Sequence, residues 1–142
     1  MTADYTLRSD GLVEVHNTQY FISDAQLDDI TGKAWLNQWY KGLLNVSFFG
    51  DFSWLYQILD TDYTSYAVVY SCSMMFADAI NMNEYVWLLS RTALVEGEAD
   101  HTTFVNNMKA IMDAKIPDYD YDTMLYYTLQ GETENSCAYS TP

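Results

Sequence analysis

Basic residues are scarce in this chain: six Lys and Arg stand against twenty Asp and Glu, a formal net charge of −14. A surface of that sign repels phosphate backbones and anionic lipid at long range, so nucleic acid is excluded as a partner. Long apolar runs are missing too. No window approaches the roughly 18 apolar residues of a membrane helix, and Met1-Thr2-Ala3-Asp4 opens on an acidic strand, not on a basic and then apolar signal segment. We therefore expect neither an integral membrane segment nor a signal peptide in this chain. The two cysteines, Cys72 and Cys137, fall in neither CxxC nor metal-ligand spacing, which rules out a disulfide-dense scaffold. Two histidines, His16 and His101, form no HExxH pattern and read as solvated or helix-surface groups. Asp118-Tyr119-Asp120-Tyr121-Asp122 copies the first acidic places of a calcium loop, but Thr123 and Leu129 stand where Gly and Glu are required. A Gly-rich phosphate loop is also absent, so no metal and no cofactor is expected.

What is present is enough to build a core. The 142 residues suit a single domain, 1–142, and with 49% hydrophobic and 16% aromatic residues the negative charge does not signal disorder.

Period-two alternation runs through most of the first 92 residues. Ala3, Tyr5 and Leu7 oppose Asp4, Thr6 and Arg8; after Asp10-Gly11, Val13 and Val15 oppose Glu14 and His16, giving a hairpin with a type I′-like turn. Residues 18–29 are polar enough to read as a loop. Ile30, Gly32 and Ala34 then put small residues on one face, leaving room beside them. In Leu44 to Phe48, Leu44, Val46 and Phe48 share a face while Asn45 and Ser47 turn to solvent, where the sequon Asn45-Val46-Ser47 is open to glycosylation. Trp54 to Leu59, the turn Asp60-Thr61-Asp62, the strand Tyr66 to Tyr70, and Tyr85 to Arg91 continue the series. Short, regularly spaced strands of this kind predict an antiparallel barrel or sandwich.

One segment departs from this period. Phe104, Val105, Met108, Ile111 and Met112 mark an amphipathic helix over 100–116, N-capped by Asp100 or Thr102 and stopped by Pro117. Met124 to Leu129 reads as a short final strand within 123–130, followed by a loose tail, 131–142.

The strand faces converge on one surface: Tyr5, Leu7, Val13, Val15, Ala34, Leu44, Val46, Phe48, Tyr56, Ile58, Val69, Tyr85, Trp87 and Leu89. Such a set either fills a core or lines a cavity for one small ligand. Its Tyr and Trp content suits a flat or elongated apolar molecule carrying a few polar groups.

Thr61-Asp62-Tyr63 between two strands, Tyr70-Ser71-Cys72, and Arg91 at the end of the strand Tyr85 to Arg91 resemble conserved motifs of the lipocalins, within which the chain is most similar to the apolipoprotein D and bacterial lipocalin group. Ala3 to Leu7, Asp10-Gly11 and Val13 to Asn17 resemble that group's second strand, turn and third strand. The resemblance implies an all-β, antiparallel, up-and-down barrel with one flanking helix after the last barrel strand. It also implies a secreted or extracellular protein that binds and transports a small hydrophobic ligand: a lipid, fatty acid, sterol, retinoid or tetrapyrrole-like molecule. Trp87 matches an aromatic that faces the ligand. Thr61, Asp62, Tyr63 and Arg91 are structural in that family, Arg91 stacking on the Trp of a Gly-x-Trp motif, a pattern this sequence lacks. By this alignment the first strand lies upstream of Met1. The barrel is then expected to have an open seam beside Thr2 to Leu7 and Tyr85 to Arg91, which offers a route to self-association. The family's partners for cysteines at the places of Cys72 and Cys137 lie in the same upstream region, so both are expected to be unpaired. Two other readings compete: an isomerase or redox enzyme dependent on Cys72, and an acidic protein-interaction module.

Overall fold

The computed structural model describes residues 2–21, 26–74 and 82–128. Seven strands, β1 (Thr2–Leu7), β2 (Val13–Phe21), β3 (Gln26–Leu36), β4 (Leu43–Phe49), β5 (Phe52–Thr61), β6 (Tyr66–Met74) and β7 (Met82–Ser90), form one antiparallel meander in sequence order. Pairing joins each strand to the next, and the described residues form no ladder between β1 and β7; the sheet is a half-barrel with two edges.

Register decides which side chains share a face. Tyr5 stands opposite Val15, Val15 opposite Gly32, Ala34 opposite Val46, Leu44 opposite Tyr56, Ile58 opposite Val69, and Val69 opposite Trp87. Because side chains alternate across a strand, these pairings carry one apolar set from edge to edge, on the concave side. Val15, Ala34 and Val46 form its buried centre, with Val13, Leu44, Phe48 and Tyr56 packed around them.

The convex face of β5 to β7 is covered by α1 (Ala99–Lys115). Met108 and Met112 bury against Val68, flanked by Leu59, Tyr66, Val86 and Leu88. Each fully buried side chain of this size contributes about 1.5–3 kcal/mol of transfer free energy, which holds the helix on the sheet. Its N-cap is Glu98 rather than Asp100 or Thr102, and no side chain caps it. Thr102 and Thr103 instead donate their hydroxyls back to the Glu98 and Ala99 carbonyls, at 3.1 and 2.7 Å.

Several expectations are corrected. Residues 18–21 and 26–29 of the expected loop are strand, Thr18 pairing with Asp29, Gln19 with Asp28, Tyr20 with Leu27 and Phe21 with Gln26, while 22–25 lie outside the described residues. The ladder is carried by backbone groups, and polar side chains do not interrupt it. The first turn is not type I′. Within this turn Gly11 alone has positive φ (82°), and its N–H donates to the Arg8 carbonyl at 3.1 Å, giving a type I turn followed by a left-handed glycine. The final strand over 123–130 does not form among its described residues: Tyr121–Met124 is a helical turn, α2, capped by the Asp120 carboxylate, and 125–128 has no regular structure. Leu129, Cys137 and the tail lie outside the described residues. Ser47 does not face solvent; it is 3% exposed and donates its hydroxyl to the Gly50 carbonyl at 3.1 Å, where the β4–β5 hairpin bends at an irregular register.

Candidate concave binding face

The concave face carries a row of aromatic rings. Tyr5 on β1 and Tyr56 on β5 join hydroxyl to hydroxyl at 2.8 Å. Tyr56 lies against Trp87 with ring centroids 5.6 Å apart, and Trp87 stacks on Tyr85 at 5.8 Å with planes inclined by 16°. β1 and β5 are not neighbours in the sheet, so the row exists because the sheet curls until its inner side chains meet across the hollow.

The chemistry of the row follows from its surroundings. Burial pushes both phenols above the usual tyrosine range, the hydrogen bond from Tyr56 partly offsetting this for Tyr5. Tyr5 is 45% exposed as a residue while its hydroxyl is engaged by Tyr56. Both groups remain neutral at physiological pH. One O–H donates to the other oxygen, which leaves the pair one proton and its remaining lone pairs for a third group.

All fourteen predicted lining residues share this face by register, but not equally. Val15, Ala34, Val46 and Val69 are buried floor. Tyr5, Tyr56, Tyr85 and Trp87 form the row above it, Tyr85 being 50% exposed. Leu7, 74% exposed at the end of β1, is rim rather than lining. The room beside Gly32 is already used: a Cβ there would stand 2.5 Å from both the Ser47 carbonyl oxygen and Cδ1 of Phe48. Small residues on β3 thus admit the Phe48 ring instead of leaving a void.

Sequence reasoning passed over Asn17, which continues the alternation of Val13 and Val15 onto the same face. Its side-chain oxygen is buried without a hydrogen-bond partner, the state in which a polar group gains most from meeting a donor. Continuing the alternation of Val13 and Val15 by two residues would have found it.

The turn motif is organised around Asp62. Its carboxylate accepts the Thr64, Ser65 and Tyr66 N–H groups at 2.9, 2.7 and 3.1 Å and the Ser65 hydroxyl. These donors, the Ser65 hydroxyl foremost, hold its pKa well below the usual carboxylate range. Thr61 closes the turn by donating to the Tyr66 carbonyl at 2.6 Å and accepting the Tyr63 N–H at 3.0 Å, which holds Tyr63 at φ 65°. Arg91 is exposed; its backbone N–H donates to the Ser65 carbonyl at 2.9 Å, tying the end of β7 to this turn.

The other candidates lie elsewhere. Cys72 is a free, half-buried thiol facing Glu84 across the β6–β7 ladder, on the convex side with Tyr70, whose phenol donates to Glu84 at 2.6 Å. His16 is not simply solvated: on the convex face of β2 it hydrogen-bonds Asp29 and lies 3.9 Å from Asp4. It borders an open recess of about 460 Å³ shared with Thr6, Glu14 and Thr31. His101 packs edge-on against Tyr127 at 5.0 Å. Among the described residues no cluster of His, Cys, Asp and Glu is placed to hold a metal, and no helix is long and apolar enough to cross a membrane.

The sequence model of a lipocalin-like domain matches residues 1–114. The chain is 38% identical over 97 residues to the outer membrane lipoprotein Blc of Vibrio cholerae, an alignment covering 68% of this chain and 53% of that protein. It is 36% identical over 98 residues to apolipoprotein D of Rattus norvegicus, covering 68% of this chain and 50% of the relative. The chain thus spans about half the length of the curated relatives it matches. Among solved structures, lobster apocrustacyanin A1 superposes with a TM-score of 0.68 at 24% identity, over 92% of this chain and 66% of that one. Apocrustacyanin C1 gives 0.69 at 23%, over 92% and 66%. These two likenesses concern the fold.

Proposed function

The chain belongs to the lipocalin family, and from that premise we propose that its concave face binds one small hydrophobic molecule and carries it without chemical change. The observation that carries this reading is the ring row Tyr5–Tyr56–Trp87–Tyr85, closely spaced, part-exposed and laid over an aliphatic floor. Large flat surfaces of low conformational entropy suit a flat or elongated apolar ligand. The Tyr5–Tyr56 hydroxyls and the Asn17 oxygen supply the few polar contacts that orient such a molecule, fitting a sterol, retinoid, fatty acid or tetrapyrrole better than a fully saturated hydrocarbon. An extracellular or cell-envelope location belongs to the same reading, supported by the outer membrane lipoprotein among the relatives. A catalytic role for Cys72 is disfavoured because its thiol lies on the opposite face of the sheet from the ring row.

Titration with a fatty acid, a sterol, a retinoid and a tetrapyrrole, followed by tryptophan fluorescence, tests this. Saturable one-to-one quenching is expected with at least one of them, weakened roughly tenfold or more by Trp87→Ala and unaffected by Cys72→Ala. Equal affinity in the Trp87→Ala protein, or turnover lost in Cys72→Ala, overturns the carrier reading.

A further inference from the structure

An antiparallel meander places alternate turns at the same end of its sheet. Here that end gathers the β1–β2 turn, the loop from Asn37 to Gly42, the Asp62 turn and the exit of β7 at Arg91. Its apolar side chains are strongly exposed: Leu36 by 73%, Trp39 by 77%, Tyr40 by 68% and Tyr63 by 83%. Three of the chain's six basic residues, Arg8, Lys41 and Arg91, stand at this end beside Asp10, Asp60 and Asp62, with Arg8 bridging Asp10 at 2.9 Å, so these turns are charge-balanced in a molecule whose net charge is −14. The loops that present the rings are braced. Asn37 takes the Trp39 N–H on its side chain at 3.0 Å, and its own N–H reaches the Leu43 carbonyl at 2.9 Å; Tyr63 is fixed by Thr61 as described.

We propose that this end docks on the headgroup layer of a phosphatidylcholine-type membrane. Indole and phenol rings with a polar atom at one end prefer the interface between headgroups and acyl chains, and Lys and Arg beside them reach phosphate oxygens. The meander brings these three turns to one end of the sheet, so their anchors face the same side of the molecule. Charge selects the lipid: the acidic body is repelled by an anionic leaflet and tolerated by a zwitterionic one. The opposite end also exposes rings, Phe49 by 64% and Phe52 by 58%, but these pack edge-on against Trp54 at 6.3 and 4.8 Å and flank Asp51, with no Lys or Arg in their hairpin. This inference does not depend on what the concave face binds.

Flotation with phosphatidylcholine vesicles, with and without added phosphatidylglycerol, is the test. The chain is expected to float with the neutral vesicles and less with the anionic ones. Trp39→Ser with Tyr40→Ser should lower the bound fraction roughly tenfold, while Phe49→Ser with Phe52→Ser leaves it unchanged; circular dichroism confirms that all variants fold. Failure of the chain to float, undiminished flotation of the Trp39 and Tyr40 variant, or loss confined to the Phe49 and Phe52 variant would each overturn the proposal.

Discussion

The phenolic oxygens of Tyr5 and Tyr56, 51 residues apart in the chain, lie 2.8 Å from each other across the hollow of the sheet. β1 and β5 share no ladder, so this bond reports the curvature directly: a flatter sheet would separate the two rings. The same curvature sets Tyr56 against Trp87 and completes the proposed binding surface.

Replacing either tyrosine by Phe removes one hydrogen bond and keeps the ring. Tyr56→Phe is expected to cost about 0.5–1.5 kcal/mol, and Tyr5→Phe in the same background should cost little more, because the pair is already broken. Chemical denaturation of the double-mutant cycle measures this. Additive losses would show that the bond contributes nothing.

The raised phenol pKa values give a pH dependence of known sign. The folded chain holds these protons at pH values where an unfolded tyrosine has lost its own, so stability falls as pH rises through about 10 and beyond. Midpoints of denaturation between pH 8 and 11 should drop for the native sequence and drop less for the Tyr5→Phe, Tyr56→Phe double variant.

Gly32 is required by close approach rather than by backbone conformation. Gly32→Ala drives a methyl group into the Ser47 carbonyl and the Phe48 ring, an overpacking expected to cost about 1–3 kcal/mol. Phe48→Ala added to it should relieve the ring contact alone, because the Ser47 carbonyl is backbone and stays in place. Urea midpoints of the single and double variants separate the two contacts.

Asp62 acts through its charge. Its depressed pKa means that the stability it supplies is complete above the ordinary aspartate range, about pH 4, and is lost as pH falls further. Asp62→Ala should lower the melting temperature at pH 7, and the difference from the native chain should shrink between pH 4 and pH 2. A constant difference over that interval would assign the effect to shape instead of charge.

Met112, fully buried between α1 and β6, anchors the helix. Met112→Ala leaves a cavity at a site walled by the sheet and is expected to cost about 2–5 kcal/mol. Denaturation followed at 222 nm should show the helix signal lost at lower urea than in the native chain.

Much of this molecule is set by local pattern. The alternation Tyr5-Thr6-Leu7, Val13-Glu14-Val15 and Tyr85-Val86-Trp87 put Tyr5 with Leu7, Val13 with Val15 and Tyr85 with Trp87 on one face of their strands, because the side-chain period of a strand is two whatever its neighbours. The spacing of Met108 and Met112 gave the helix for the corresponding reason. Pattern failed where long-range pairing overrode composition. Residues 18–21 and 26–29 are strand because they pair in continuous register with each other, and Met124 is not strand because Tyr121–Met124 closes a helical turn on the Asp120 carboxylate. Facing is a local property and could be read from single segments. Curvature is not: whether Tyr5 reaches Tyr56, whether Phe48 fills the space over Gly32, and whether Trp39 and Tyr63 share an end with Arg91 depend on the stacking of all seven registers, and only the folded sheet decided them.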